Sequence, residues 1–209
     1  MLGLQEVDLV SFASNFTPEL FGCPVLATDG SRVKPKSFVS LDAAKAGSGA
    51  CSIQFDSEAE EKIVAAAMVG QSWPGKQTVP RAETWAAVAA ARYFEFAPGR
   101  LAHWVSDAAY TINGMKRLWA KAGGIEVDAT FSGASRPNID LWAGAEELVR
   151  EGVLPMPLKN CSHQTVVQVA AGELPFRDFL ANGVADIVAE VVTKKMQLPG
   201  IVIAEGEKR

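Results

Sequence analysis

The chain has 209 residues, 48% of them hydrophobic, with 20 basic against 24 acidic side chains for a formal charge of −4. That length supports one sizeable α/β domain with a buried core and argues against a second full domain. The acidic balance excludes a global positive field as the means of holding nucleic acid, so any such partner must be gripped locally.

Residues 1–22 read as an N-terminal extension, with Val7, Leu9, Val10, Phe12 and Phe16 available for packing and Pro18 as a stop. From Cys23 to Ala27 an apolar run leads into Thr28-Asp29-Gly30-Ser31, and Ala50 to Phe55 reads as a second strand, its antiparallel neighbour. Glu58 to Val69 is ambiguous: its Glu, Lys and Ala content favours helix, and its place after a strand and turn favours a third strand. Pro80 opens a helix with Ala82, Trp85, Ala86, Ala89 and Tyr93 at helical spacing and Glu83 in its first turn. Pro98-Gly99 ends it, and Leu101 to Ser106 is a short strand running into Asp107 and a helix with Tyr110, Ile112, Met115, Leu118 and Trp119. A polar excursion, Gly123 to Asn138, precedes a helix from about Ile139 to Glu151 and a strand from about Leu154 to Cys161. The last helix runs from Phe176 to Met196, and 197–209 is a tail. This order describes a mixed sheet with helices on its faces, in one domain over 23–196.

Cys23, Cys51 and Cys161 lack paired spacing for zinc or redox chemistry and are expected to be buried thiols. The N-terminus has no basic segment of the kind that opens a signal peptide, and no run approaches the roughly 18 apolar residues of a membrane span. The expectation is a soluble intracellular protein, cytoplasmic or nuclear, without membrane contact.

Asp29, Glu83, Asp107 and Asp186 lie at ends of apolar runs or beside helices, where a fold could gather them around divalent metal. Phosphodiester hydrolysis needs an activated water and a stabilised leaving oxygen, and two divalent cations about 3.5–4 Å apart supply both. Magnesium takes hard oxygen ligands and keeps several waters, so a few carboxylates suffice, and manganese accepts the same set. Each acid also has an ordinary structural explanation. Asp29 suits a turn, Glu83 a helix's first turn, Asp107 an N-cap with Ser106 as rival, and Asp186 a solvated helix position. Their joint occurrence in one order shifts the balance towards function.

Thr28-Asp29-Gly30-Ser31, Gln77-Thr78 with Arg81-Ala82-Glu83, Ser106-Asp107 with Tyr110-Thr111-Ile112-Asn113-Gly114, Asn138-Ile139-Asp140-Leu141-Trp142, Ser162-His163, and Asn182 with Ala185-Asp186 resemble the successive motifs of type 1 ribonuclease H. The resemblance spans roughly residues 23–195. It implies the ribonuclease H-like α/β fold: a five-stranded mixed sheet flanked by helices, with Glu58 to Val69 mainly its third strand. It further implies an endonuclease whose Asp29, Glu83, Asp107 and Asp186 bind two magnesium ions that cleave the RNA strand of an RNA–DNA hybrid, assisted by His163. Gly30 and Ser31 would contact the substrate, and Thr78 and Asn138 would grip a phosphate of the DNA strand. Trp85 and Trp142 read as packing, Trp73 as an exposed aromatic, and His103 as structural.

Three departures from the family pattern stand out. The segment after Lys121 carries a single base, Arg136, where many cellular members have a basic, Trp-containing protrusion. Val79-Pro80 replaces a pair of polar residues that contact 2′-hydroxyls. The stretch from His163 to Asn182 is long and contains Val166, Val167, Val169, Leu174, Pro175 and Phe176, enough for an extra element. Acidity and the missing protrusion resemble retroelement-derived ribonuclease H domains, which borrow affinity from a reverse transcriptase in cis. The competing expectation is a catalytically weak or silent interaction domain, tethered within a retroelement polyprotein, against which the retention of all four acids speaks.

Overall fold

The computed structural model describes residues 24–32, 45–56, 62–72, 78–94, 103–125, 138–159 and 164–196. The extension 1–22, the tail 197–209, most of the polar excursion, Trp73, Cys23, Cys161 and His163 lie outside the described residues.

Strands β1 (Val25–Arg32), β2 (Ala46–Phe55) and β3 (Ile63–Gln71) form an antiparallel meander. Helix α1 (Val79–Tyr93) follows, then β4 (His103–Ser106), which pairs parallel with β1, and α2 (Ala109–Ala122). Helix α3 (Ile139–Arg150) leads to the two-residue β5 (Leu158–Lys159), parallel to β4, and α4 (Val166–Ala170) and α5 (Phe176–Met196) complete the chain. The strand order β3-β2-β1-β4-β5 makes a five-stranded mixed sheet flanked by helices.

The third strand resolves the ambiguity of its sequence in favour of pairing. Val64 to Val69 has helical composition, yet β2 offers it a ladder from Ser48↔Gln71 to Phe55↔Ile63, and tertiary pairing outweighs weak local propensity. At the sheet's other edge the strand expected from Leu154 to Cys161 is reduced to Leu158–Lys159 among the described residues, while Leu154 is fully buried in the core instead.

Residue alternation divides the sheet into two faces. Leu26, Ala50 and Trp104 face α1, α2 and α3, where Trp85, Met115, Leu118, Leu141 and Trp142 complete a core rich in large side chains. Val25, Ala27, Cys51, Ile53 and Val105 face α5, where Ala181 and Ala185 meet them. Both tryptophans expected to be packing, Trp85 and Trp142, are buried. Buried Cys51 donates its thiol to the Ala181 carbonyl at 3.2 Å, and burial pushes that thiol up to about 12, so it is inert. His103 bonds Asp178 through Nε2 at 2.9 Å, tying β4 to the first turn of α5. Among the described residues no helix is long and apolar enough to cross a membrane.

Candidate active site

The site lies at the carboxyl ends of the two parallel central strands, where open α/β sheets place ligands. Ala27 of β1 is in register with Val105 of β4, so Asp29 and Asp107, each two residues further on, emerge side by side on the face that looks towards α5. The helix after β4 starts later than the sequence suggests. Ala108 is the N-cap of α2, and Ser106 accepts the Ala108 N–H on its Oγ at 3.3 Å, so Asp107 is not the N-cap residue.

Glu83 reaches the same place from the other side of the strand end. Because α1 already begins at Val79, Glu83 sits past the first turn, and stabilisation of the helix N-terminus is not its role. Its position depends on Gly30: a Cβ there would meet the Glu83 backbone nitrogen at 2.5 Å and its Cγ at 2.8 Å. On the opposite flank Gly49, the register partner of Asp29 on β2, lies so close to α5 that a Cβ would strike the backbone of Ala185 and Ala189. That contact brings Asp186, itself exposed, up to Asp29.

Asp29, Glu83, Asp107 and Asp186 thus line one pocket of about 410 Å³, together with Gly30, Val79, Gln164, Phe179, Asn182 and Gly183. None of these lining residues is basic. Burial, the charge of Asp107 and a hydrogen bond with Asp186 push the Asp29 carboxyl up to about 8, against the pull of the Gly30 N–H that it accepts at 2.7 Å. Burial and the same Asp107 charge push Glu83 up to about 7. A hydrogen bond between two carboxyl groups requires a proton, so the cluster holds protons at neutral pH to relieve its own repulsion. Among the described residues no three His, Cys, Asp or Glu side chains form a ready-made metal cage.

Other residues expected at the site are placed less centrally. Gly30 lines the pocket, whereas Ser31, Thr78 and Asn138 do not. Ser31 uses its carbonyl to accept the Thr193 hydroxyl at 3.1 Å, and Thr78 is the N-cap of α1. Asn138, the N-cap of α3, has a left-handed backbone (φ 61°) and accepts from Arg81 Nη1 at 3.2 Å. Arg81 also grips Asp140 with both guanidinium nitrogens, so the N-termini of α1 and α3 are locked together beside the acid pocket. His163 lies outside the described residues. Gln164 and Phe179 are pocket residues that sequence reasoning missed, and Asn182 entered it only as part of a motif.

By sequence, no family model and no curated protein matches the chain. Among solved structures, the foamy virus (PFV) RNase H domain in solution matches 82% of this chain and 94% of its own length, at 19% identity and a TM-score of 0.58. The prototype foamy virus protease–reverse transcriptase matches 86% of this chain at 18% identity and a TM-score of 0.53, over 22% of its own length. LC9-RNase H1, described as a type 1 RNase H with the type 2 active-site motif, matches 81% of this chain and 74% of its own at 19% identity and a TM-score of 0.51. Strand order, parallel β1–β4 pairing and the closing helix across the sheet agree with these likenesses: the chain has the ribonuclease H fold.

Proposed function

We propose that this chain is a metal-dependent endonuclease that hydrolyses the RNA strand of RNA–DNA hybrids. The observation that carries the proposal is the convergence of four carboxylates, from β1, α1, the end of β4 and α5, on one pocket with no basic residue among the described residues of its lining. A cluster that must hold protons to tolerate itself is poorly suited to a purely structural role and well suited to a cation.

The donor set fits a hard divalent ion. All four groups are carboxylates, and magnesium is held by one or two carboxylates with waters and substrate phosphates, so the lack of a three-acid cage is no obstacle. Asp29, Glu83, Asp107 and Asp186 would hold two magnesium ions, or manganese, which when bound would activate a water and neutralise charge on the leaving oxygen. Asp107 raises both Asp29 and Glu83 through its charge and so stands at the electrostatic centre of the cluster. Gly30, in the pocket lining beside Asp29, would contact the substrate backbone. Thr78 and Asn138, on helix ends that Arg81 joins, would position a phosphate of the DNA strand without reading sequence. His163 would assist the water or product release, and His163→Ala is expected to slow cleavage without abolishing it.

The reading extends to a retroelement origin with a reverse transcriptase region in cis, supported by the likeness to foamy virus protease–reverse transcriptase structures. The test is cleavage of a labelled RNA–DNA hybrid beside duplex RNA, duplex DNA and single strands, in magnesium, in manganese and in chelator. Metal-dependent cutting confined to the RNA of the hybrid is expected. A folded protein that cuts none of them would contradict the proposal.

A further inference from the structure

Besides its acids, the pocket has a polar wall that the proposed chemistry leaves unused. Gln164, immediately before α4, and Asn182, on α5, both line it. Gln164 Nε2, Gln164 Oε1 and Asn182 Oδ1 are buried from solvent, and none has a hydrogen-bond partner among the described residues. Buried polar atoms are ordinarily paired, because leaving them unpaired costs stability. Both residues are held firmly. Thr165 and Gln168 form a reciprocal capping box, with the Thr165 N–H donating to Gln168 Oε1 at 2.9 Å, which fixes the chain directly after Gln164. Asn182 stands four residues before Asp186 on α5 and so shares its helix face.

Across the pocket α1 presents Val79, a side chain that cannot hydrogen-bond. Among the described pocket residues other than the acids, only Gln164 and Asn182 carry polar side chains. The chemistry of its unpaired atoms is selective. The Gln164 amide offers a donor and an acceptor, a pair that one hydroxyl satisfies by accepting one hydrogen bond and donating another, whereas a phosphate oxygen, which only accepts, would leave both amide oxygens facing negative charge.

We infer that Gln164, seconded by Asn182, is a specificity-determining residue that binds a ribose 2′-hydroxyl of the scissile strand, so that discrimination between RNA and DNA resides on the α4–α5 wall and not on α1. The inference rests on the nuclease reading above.

The test uses the whole chain and hybrids whose RNA strand carries one 2′-deoxynucleotide, moved position by position through the cut site. The wild type is expected to lose about tenfold in cleavage rate at one position, the size of one good neutral hydrogen bond. Gln164→Met keeps the side-chain length and removes the amide. It should lose about tenfold on the all-ribose strand and nothing further from the deoxynucleotide at that position. Equal slowing on every strand would indicate displacement of the neighbouring His163, and it overturns the inference, as does no slowing at all. Failure of the nuclease reading looks different, since the wild type would then cut no hybrid. In that case anisotropy titrations with the all-ribose and single-deoxy hybrids decide: a preference for ribose that Gln164→Met abolishes upholds the inference, and no preference overturns it.

Discussion

The face of the sheet under α1, α2 and α3 is filled by Leu26, Trp85, Trp104, Met115 and Trp142, whereas the face under α5 carries the small side chains Ala27, Cys51, Ala181 and Ala185 among Val25, Ile53, Phe55 and Val105. Large side chains keep helices at a distance and supply most of the buried apolar area. Small ones let a helix backbone approach the sheet, and the Gly49 contact shows how far α5 exploits this. The bulky face therefore does more for stability, while the thin face sets the geometry of the site, because only a closely seated α5 brings Asp186 to Asp29. Damage to the two faces should have different signatures.

The sharpest separation comes from Gly49→Ala. The added Cβ must displace the α5 backbone at Ala185 and Ala189, carrying Asp186 away from Asp29. Displacements of about 1 Å can cost on the order of 10²-fold in rate, so single-turnover cleavage should fall by about that factor while the fold survives. Trp142→Ala attacks the other face: the ring is buried, and its Nε1 donates to the Tyr110 hydroxyl at 3.1 Å. A loss of about 3–5 kcal/mol in urea unfolding is expected, with cleavage by the protein that remains folded altered less than threefold, as roughly fits an acid pocket whose lining does not include it.

A smaller effect belongs to pH. Unfolded Asp and Glu titrate near pH 4, while in the fold Asp29 is held at about 8 and Glu83 at about 7. The native state binds more protons across that interval, so this contribution to stability is present below about pH 4 and is lost as pH rises through 7 to 8. In chelator the melting temperature should therefore decline over that range. Asp107→Asn removes a charge that raises both groups and should flatten the decline, whereas a parallel curve for the variant would show that Asp107 does not govern them.

The sequence made the motifs legible because each acid sits at a strand end or beside a helix with its own local signature. The third strand needed the resemblance, since its pairing with β2 is a long-range property that Ala-rich composition conceals. Helix α4 is the extra element expected between His163 and Asn182, and the Thr165–Gln168 capping-box spacing is its local signature. Gln164 left none: a lone glutamine after a histidine has no pattern, and its importance arises only when the turn into α4 seats it in one pocket with Glu83 and Asp107. Likewise the start of α1 at Val79 moved Glu83 out of the first turn, a one-residue shift below the resolution of boundary signals.

The proposed function requires four carboxylates to act as one catalytic cation site. The decisive experiment is single-turnover cleavage of a labelled RNA–DNA hybrid in magnesium by the wild type and by Asp29→Asn, Glu83→Gln, Asp107→Asn and Asp186→Asn, each checked for a native circular dichroism spectrum. The account predicts metal-dependent cutting by the wild type and losses of roughly 10³-fold or more in at least Asp29→Asn and Asp107→Asn, as expected when groups that act as a unit are removed singly. Undiminished cutting by Asp107→Asn would contradict it.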